Sequence, residues 1–266
     1  MNYVELVGYF GALLIGLVIG LFGGGGSILA VPVFVYLFHL NPILATSYSL
    51  FVVGFSAAVG TLININNKLI RYKTAFIFVL PALGSVFFTR RYIITNLPDI
   101  LFDLGLVLVT KEMALMLLFS TVIILSALSI LKKNKLAVLH KPITINYYLL
   151  FIVGLGVGLL TGLVGAGGGF IIVPALVVYA SLDIKQAVAT SLIIITFNAL
   201  FGFVADSTQV TIDWRFLMIF TSISIFGIFI GSYVSNFIEE KSLKKSFARF
   251  MLLMAVLIIY NEFIGK

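Results

Sequence analysis

Two runs of residues without bulky side chains concentrate backbone chemistry in this sequence: Gly23-Gly24-Gly25-Gly26-Ser27 and Gly165-Ala166-Gly167-Gly168-Gly169. Each lies inside an apolar stretch, and a proline follows five residues after it, Pro32 or Pro174. Glycine costs a helix roughly 1 kcal/mol relative to alanine, so both runs, with their prolines, are expected to be structural helix breaks. A helix that restarts inside a membrane presents unpaired N–H groups and the positive end of its dipole, which suits an anion. Bare glycine amides let such a ligand approach closely. All ten residues of the two runs are therefore candidate substrate-binding positions. Neither run is a nucleotide phosphate loop, because no Gly-Lys-Ser/Thr follows it.

Hydroxyls within apolar segments could add neutral donors: Thr46, Ser47 and Ser49 in the first half, Thr190, Ser191 and Thr196 in the second. Ser49, Ser191 and the amide Asn198 are the chosen candidates. The competing use of such groups is bonding to their own helix backbone or to a neighbouring helix. No Asp, Glu, Lys, Arg or His falls near the centre of an apolar segment, which argues against a built-in carboxylate proton relay. The sequence has no cysteine, which removes disulfides and thiolate chemistry. His39 and His140 lack a metal-ligand spacing, so no metal, no cofactor and no catalytic residue is expected.

The elements that position these residues follow from composition. Hydrophobic residues make up 61% and charged residues 10% of 266, against about 25% charged in soluble domains, so the chain reads as an all-α, polytopic membrane protein. Nucleic acid is excluded as a partner, and the lipid bilayer is the surrounding solvent. Met1-Asn2-Tyr3-Val4-Glu5 carries an acid where a secretory signal carries lysine or arginine, so the first apolar segment is expected to be a true span. Eight long spans are expected at about 6–22, 45–63, 74–89, 114–131, 149–164, 187–205, 216–238 and 247–264. Two shorter pieces, 28–38 and 170–180, would rise only ~15–20 Å against a hydrocarbon core of ~30 Å and read as half-helices.

The two halves are one pattern written twice at an offset of 142. Gly16/Gly158, Gly20/Gly162, Gly23/Gly165, Pro32/Pro174, Ser49/Ser191, Leu50/Leu192 and Gly60/Gly202 coincide without a gap. Residues 1–141 and 142–266 are read as homologous transmembrane repeats. Lysine and arginine at 68, 71 and 73, at 132–141 and at 241–249 can all face the cytoplasm if the repeats are inverted, which puts the N-terminus outside. Inverted repeats would aim both half-helix N-termini at one point near the midplane. Residues 90–111 have no counterpart in the second half and read as an amphipathic external insertion.

The duplicated glycine runs, the prolines after them, Ala45-Thr46-Ser47, Ala189-Thr190-Ser191 and the string from Gly165 to Phe170 resemble the sulfite exporter TauE/SafE family over nearly the whole chain. The first run departs from the family's usual pattern of a bulkier residue before three glycines, and the 90–111 insertion lengthens the first half. The resemblance implies a multi-pass transporter of the cell membrane that exports a small inorganic or organosulfur anion such as sulfite or a sulfonate. An anion channel of the same architecture and a non-transporting membrane scaffold are the alternatives. Gly-x-x-x-Gly faces at 16/20, 158/162 and 227/231 suit either a homodimer or packing inside one subunit.

Overall fold

The structure is a computed structural model and describes residues 3–65, 68–98, 100–103, 108–132, 146–207 and 210–263. The connection with Lys133, Lys135, His140 and Lys141, the repeat boundary at 141/142 and Asp99 of the insertion lie outside the described residues.

Among the described residues there are eight long helices and two short ones: α1 (Tyr3–Phe22), α2 (Ser27–Pro32), α3 (Pro42–Ile65), α4 (Tyr72–Phe88), α5 (Lys111–Lys132), α6 (Tyr147–Val164), α7 (Gly169–Tyr179), α8 (Ile184–Asp206), α9 (Trp214–Ser235) and α10 (Glu240–Phe263). A two-stranded antiparallel ribbon, Ile100–Asp103 with Leu108–Thr110, leads into α5. Seven helical runs among the described residues are apolar and long enough to cross a membrane. One of these is the merged run Val7–Leu37. Helix α10, which opens on a charged stretch including Lys241, Lys245 and Arg249, is outside the seven.

Val7–Leu37 does not cross as a single rod. Gly23–Gly26 forms a 3-10 turn, and Gly23 takes φ +65, which only glycine adopts without strain. Beyond the turn Gly26 lies against Ile15 and Ile19, whereas a straight helix would carry it about 10 Å past Ile19. Gly11 then meets Val33 and Leu37, and Gly8 meets Phe38. The chain has doubled back beside α1. Pro32 ends the α-helical geometry of α2, and Val33–Leu37 continues as a wider π turn.

Glycine sets the helix spacing on both sides of the bundle. Gly16 abuts the Ser224 carbonyl, and Gly20 abuts α9 at Ile228 to Ser232, so α1 and α9 run parallel. Gly154, Gly158 and Gly162 meet Phe78, Ala82 and Thr89, so α6 lies parallel to α4 and its π-helical extension, Thr89–Ile94. The contacts repeat in register: Gly16 and Gly158, like Ala82 and Ser224, are 142 residues apart. At the centre α3 and α8 run antiparallel, with Ser47 on Asp206, Leu50 on Gly202, and Gly60 on Leu192. Leu50/Leu192 and Gly60/Gly202 carry the same offset.

The Gly-x-x-x-Gly faces are consumed by these contacts within one chain. Gly227 and Gly231 press on Leu13 and Leu17, and no side chain of even one carbon fits at most of these crossings. Outward-facing Phe76, Leu80, Phe226, Phe229 and Tyr233 remain exposed, the apolar surface that a bilayer covers.

The segment expected as an external insertion is tied into the bundle at both ends. Thr89–Ile94 prolongs α4, and Arg90 within it is 1% exposed. Lys111, also buried, donates its ammonium to the carbonyls of Ile94 and Leu97. A cation at a helix C-terminus satisfies carbonyls that have no intrahelical partner. Residues 90–94 therefore belong to a span, contrary to the reading of 90–111 as surface, because the positive charges find acceptors inside.

Replacing Gly158 with leucine should cost at least about 1–3 kcal/mol of stability, since its side chain would fall on the Ala82 backbone. Leucine at Gly84, where nothing lies within 4 Å, should be neutral. Thermal denaturation in detergent compares the two. The absence of native cysteine also makes the register testable. Cysteine pairs at 50/202 and 60/192 should react with a short bifunctional thiol reagent. A 50/192 pair, about 15 Å apart along the helices, should not, and efficient cross-linking of that pair would contradict the antiparallel register.

Candidate functional site: two glycine breaks and a buried ion pair

The two breaks meet. A side chain at Gly24 would fall on the Gly169 backbone, and one at Gly169 on Gly24. Ile195 of α8 touches both Gly24 and Gly167, and Gly167 also lies on Val53 of α3. All eight glycines of the two runs and Ala166 are buried. The sequence candidates of the two runs thus share one buried locality.

The breaks differ in what they offer a ligand. In the first, the Ser27 N–H bonds back to the Gly24 and Gly25 carbonyls, and the Ser27 hydroxyl donates to Gly24 O at 2.6 Å. The Ser27 hydroxyl and amide are therefore both engaged, because the 3-10 turn carries the backbone bonding through the glycines. In the second, Gly165 (φ +70), Gly167 (+66) and Gly168 (+74) are all left-handed, and α6 ends with the Gly165 N–H on the Thr161 carbonyl. Helix α7 restarts at Gly169 with no side-chain cap; the Ile171 and Ile172 amides donate to the Gly168 carbonyl, so the uncommitted leading amides are those of Gly169 and Phe170. Pro174 lies inside α7, which continues to Tyr179. It is not the break, because its helical φ fits and the left-handed glycines upstream already interrupt the chain.

Among the polar candidates, Ser191 sits beside Gly23 but donates to the Val188 carbonyl at 2.8 Å. Ser49 and Asn198 differ from it, being fully buried without a hydrogen-bond partner for the Ser49 hydroxyl or for either amide atom of Asn198. Ser49 shares a helical face with Thr46 and Val53, which touch Gly165 and Gly167. Asn198 lies one turn from Ile195 and one from Gly202 on α8.

Sequence reasoning missed the charged part of this locality. Arg90 donates from Nη1 to Asp206 Oδ2 at 2.9 Å and to Thr46 Oγ1 at 3.1 Å. Ser47 donates to the same carboxylate oxygen at 2.5 Å. The guanidinium lies directly against Gly165. Its Nε and Nη2 are buried without partners, as are the hydroxyls of Thr89 and Thr161, and Thr161 Oγ1 lies against Gly168. Each unmet buried donor costs about 1–3 kcal/mol, and loss of one member of a buried ion pair costs about 3–5 kcal/mol. The available signal was the opposite charge of Arg90 and Asp206, at the ends of apolar segments assigned to one face of the membrane.

At the opposite end of the bundle the positions equivalent to the ion pair are neutral. The counterparts of Arg90 and Asp206 at the 142 offset are Ser232 and Asn64, which line a pocket of about 240 Å³ with Asn236. A wider cleft of about 720 Å³ opens on that end between Arg71, Lys73, Tyr147, Ser181 and Gln186. Lys73 sits 4.4 Å over the Tyr147 ring, and the Arg71 guanidinium donates to Gln186 at 3.4 Å. Gln186 and Asp206 are separated by about 30 Å of helix α8.

Comparison with known proteins adds an independent line. The family profile described as sulfite exporter TauE/SafE matches residues 9–258. The probable membrane transporter protein YunE of Bacillus subtilis is 26% identical over 98% of each chain. A probable membrane transporter protein of Xylella fastidiosa is 25% identical over 94% of this chain and 92% of its own. One from Methanocaldococcus jannaschii is 35% identical over a shorter stretch, 44% of this chain and 46% of its own length. No solved structure matches. A polytopic helical chain matched from residue 9 to 258 belongs to the sulfite exporter TauE/SafE family, and it is a multi-pass membrane transporter rather than an enzyme.

Proposed function

We propose that this transporter exports a small sulfur-containing oxyanion, of the sulfite or organosulfonate kind, through a site where the two glycine breaks meet near the midplane. The single observation that carries the reading is the Gly24–Gly169 backbone contact, beside an uncapped α7 start and surrounded by buried polar groups. The family description, which names sulfite, supports the substrate class. The transporter is built from two inverted repeats. Support for inversion comes from the antiparallel pairing of α3 and α8, whose residues correspond at the 142 offset, and from the recurrence of the α1–α9 contacts at α6–α4. Inversion also puts the Arg71–Lys73 cleft on the cytoplasmic side, where it attracts anions, and the Arg90–Asp206 pair toward the exterior.

Export of a monovalent anion from a negative cytoplasm is favoured by about 2.3 kcal/mol per 100 mV, so the field alone can drive it. A hydrolytic energy source is not required. The scaffold alternative loses its main motive, since the small-residue faces are already spent on contacts inside the chain.

Purified protein in proteoliposomes should carry radiolabelled sulfite or methanesulfonate saturably, toward the positive side of an imposed potential. Gly167→Leu should lower that flux by about tenfold or more by filling the space against Val53, while Gly84→Leu should retain it. Absence of potential-driven flux of either anion through folded protein would overturn the reading. Unsaturable conductance would replace the carrier with a channel.

A further inference from the structure

The buried Arg90 is held by only one corner of its guanidinium. Asp206 Oδ2 and Thr46 Oγ1 both engage Nη1. Nε and Nη2, which share one edge of the planar group, have no partner although Arg90 is 1% exposed. That edge is a two-donor fork matched to a pair of oxygens on one anion. Nη2 lies on Gly165, at the left-handed glycines that open onto α7, an eleven-residue helix without a side-chain cap. The unpartnered hydroxyls of Thr161 and Thr89 belong to the same neighbourhood: Thr161 lies on Gly168, and Thr89 immediately precedes Arg90 and meets Gly162.

We propose that the Nε/Nη2 edge of Arg90 is an oxyanion-binding subsite, completed by the Thr161 hydroxyl and the leading amides of α7, and that it takes a tetrahedral or pyramidal anion with at least two free oxygens. This inference rests on the export reading above and names the residue that recognises the charge. Asp206 and Ser47 act as a built-in brace: they neutralise Arg90 when the subsite is empty and keep the free edge turned toward the glycines. Charge balance favours a monoanion, because the Arg90–Asp206 pair is neutral and the bound ligand adds one negative charge to the uncapped helix end. A halide, with a single spherical acceptor, satisfies the fork poorly. The neutral Ser232 and Asn64 at the other end supply no such fork, so binding is unequal between the two sides of the bundle.

The test is equilibrium binding of methanesulfonate to the purified, detergent-solubilised protein, followed by calorimetry and by thermal stabilisation, with chloride at equal ionic strength as comparison. Methanesulfonate should bind and chloride should compete only weakly. Arg90→Lys keeps the charge and the pairing with Asp206 but has no planar fork, and it should weaken methanesulfonate binding by about tenfold or more. Thr161→Val, nearly isosteric, should weaken it by a smaller factor without loss of folding. Affinities within twofold of the wild type in both variants, or chloride competing as well as a second sulfonate, would overturn the subsite. Flux separates the two proposals: wild-type protein that transports while its affinity ignores both substitutions refutes the subsite alone, and wild type that neither binds nor transports refutes both.

Discussion

The contact of Gly24 with Gly169, backbone against backbone, is the constraint on which the rest of the arrangement depends. Hydrocarbon offers no hydrogen bonds, so a chain interrupted within a bilayer must satisfy its amides from protein or hold them beside a polar cavity. Two interruptions that touch need residues without side chains on both strands of the contact, which explains why the glycines come in runs rather than singly. The same absence of side chains lets α1, α9, α4 and α6 approach closely around the breaks. Close packing and the interruption are thus two uses of one residue type.

The two breaks settle their backbone bonding differently. Gly23–Gly26 turns the chain back through a 3-10 turn and spends both donors of Ser27 on the preceding carbonyls. The Gly165–Gly168 break leaves the helical path through three left-handed residues, and a charged side chain packs against it. A buried arginine is expensive unless paired, and here Asp206 supplies the pairing from the far end of α8. The brace contributed by Ser47, and the Lys111 bonds that end the α4 extension, hold that arginine in place from α3 and α5.

Much of this was legible in residue types and spacing. The helical, membrane-spanning character of the apolar segments follows from composition and periodicity, which depend on local chemistry. Ser49 and Ser191 were chosen as equivalent positions of the two halves, and Asn198 as an amide deep within a long apolar segment. Pro174 was read as part of the break because a proline-tolerant helix differs from a break only in backbone angles, which sequence does not fix. Arg90 was assigned to a surface insertion for a further reason. Charge near the end of an apolar run ordinarily marks a membrane boundary, and the partners of Arg90, Asp206 and Thr46, are 116 and 44 positions away. Only tertiary packing shows that the boundary lies beyond it.

The most direct test of the central claim is the position of a bound oxyanion. Selenite replaces the sulfur of sulfite with a strong anomalous scatterer, and diffraction from crystals of the protein grown with it would locate the selenium without bias from the fold. Anomalous density beside Gly165–Gly169 and within reach of Arg90 is the predicted result. Density confined to the Arg71–Lys73 cleft or the protein surface, with the glycine breaks unoccupied at saturating selenite, would contradict the account.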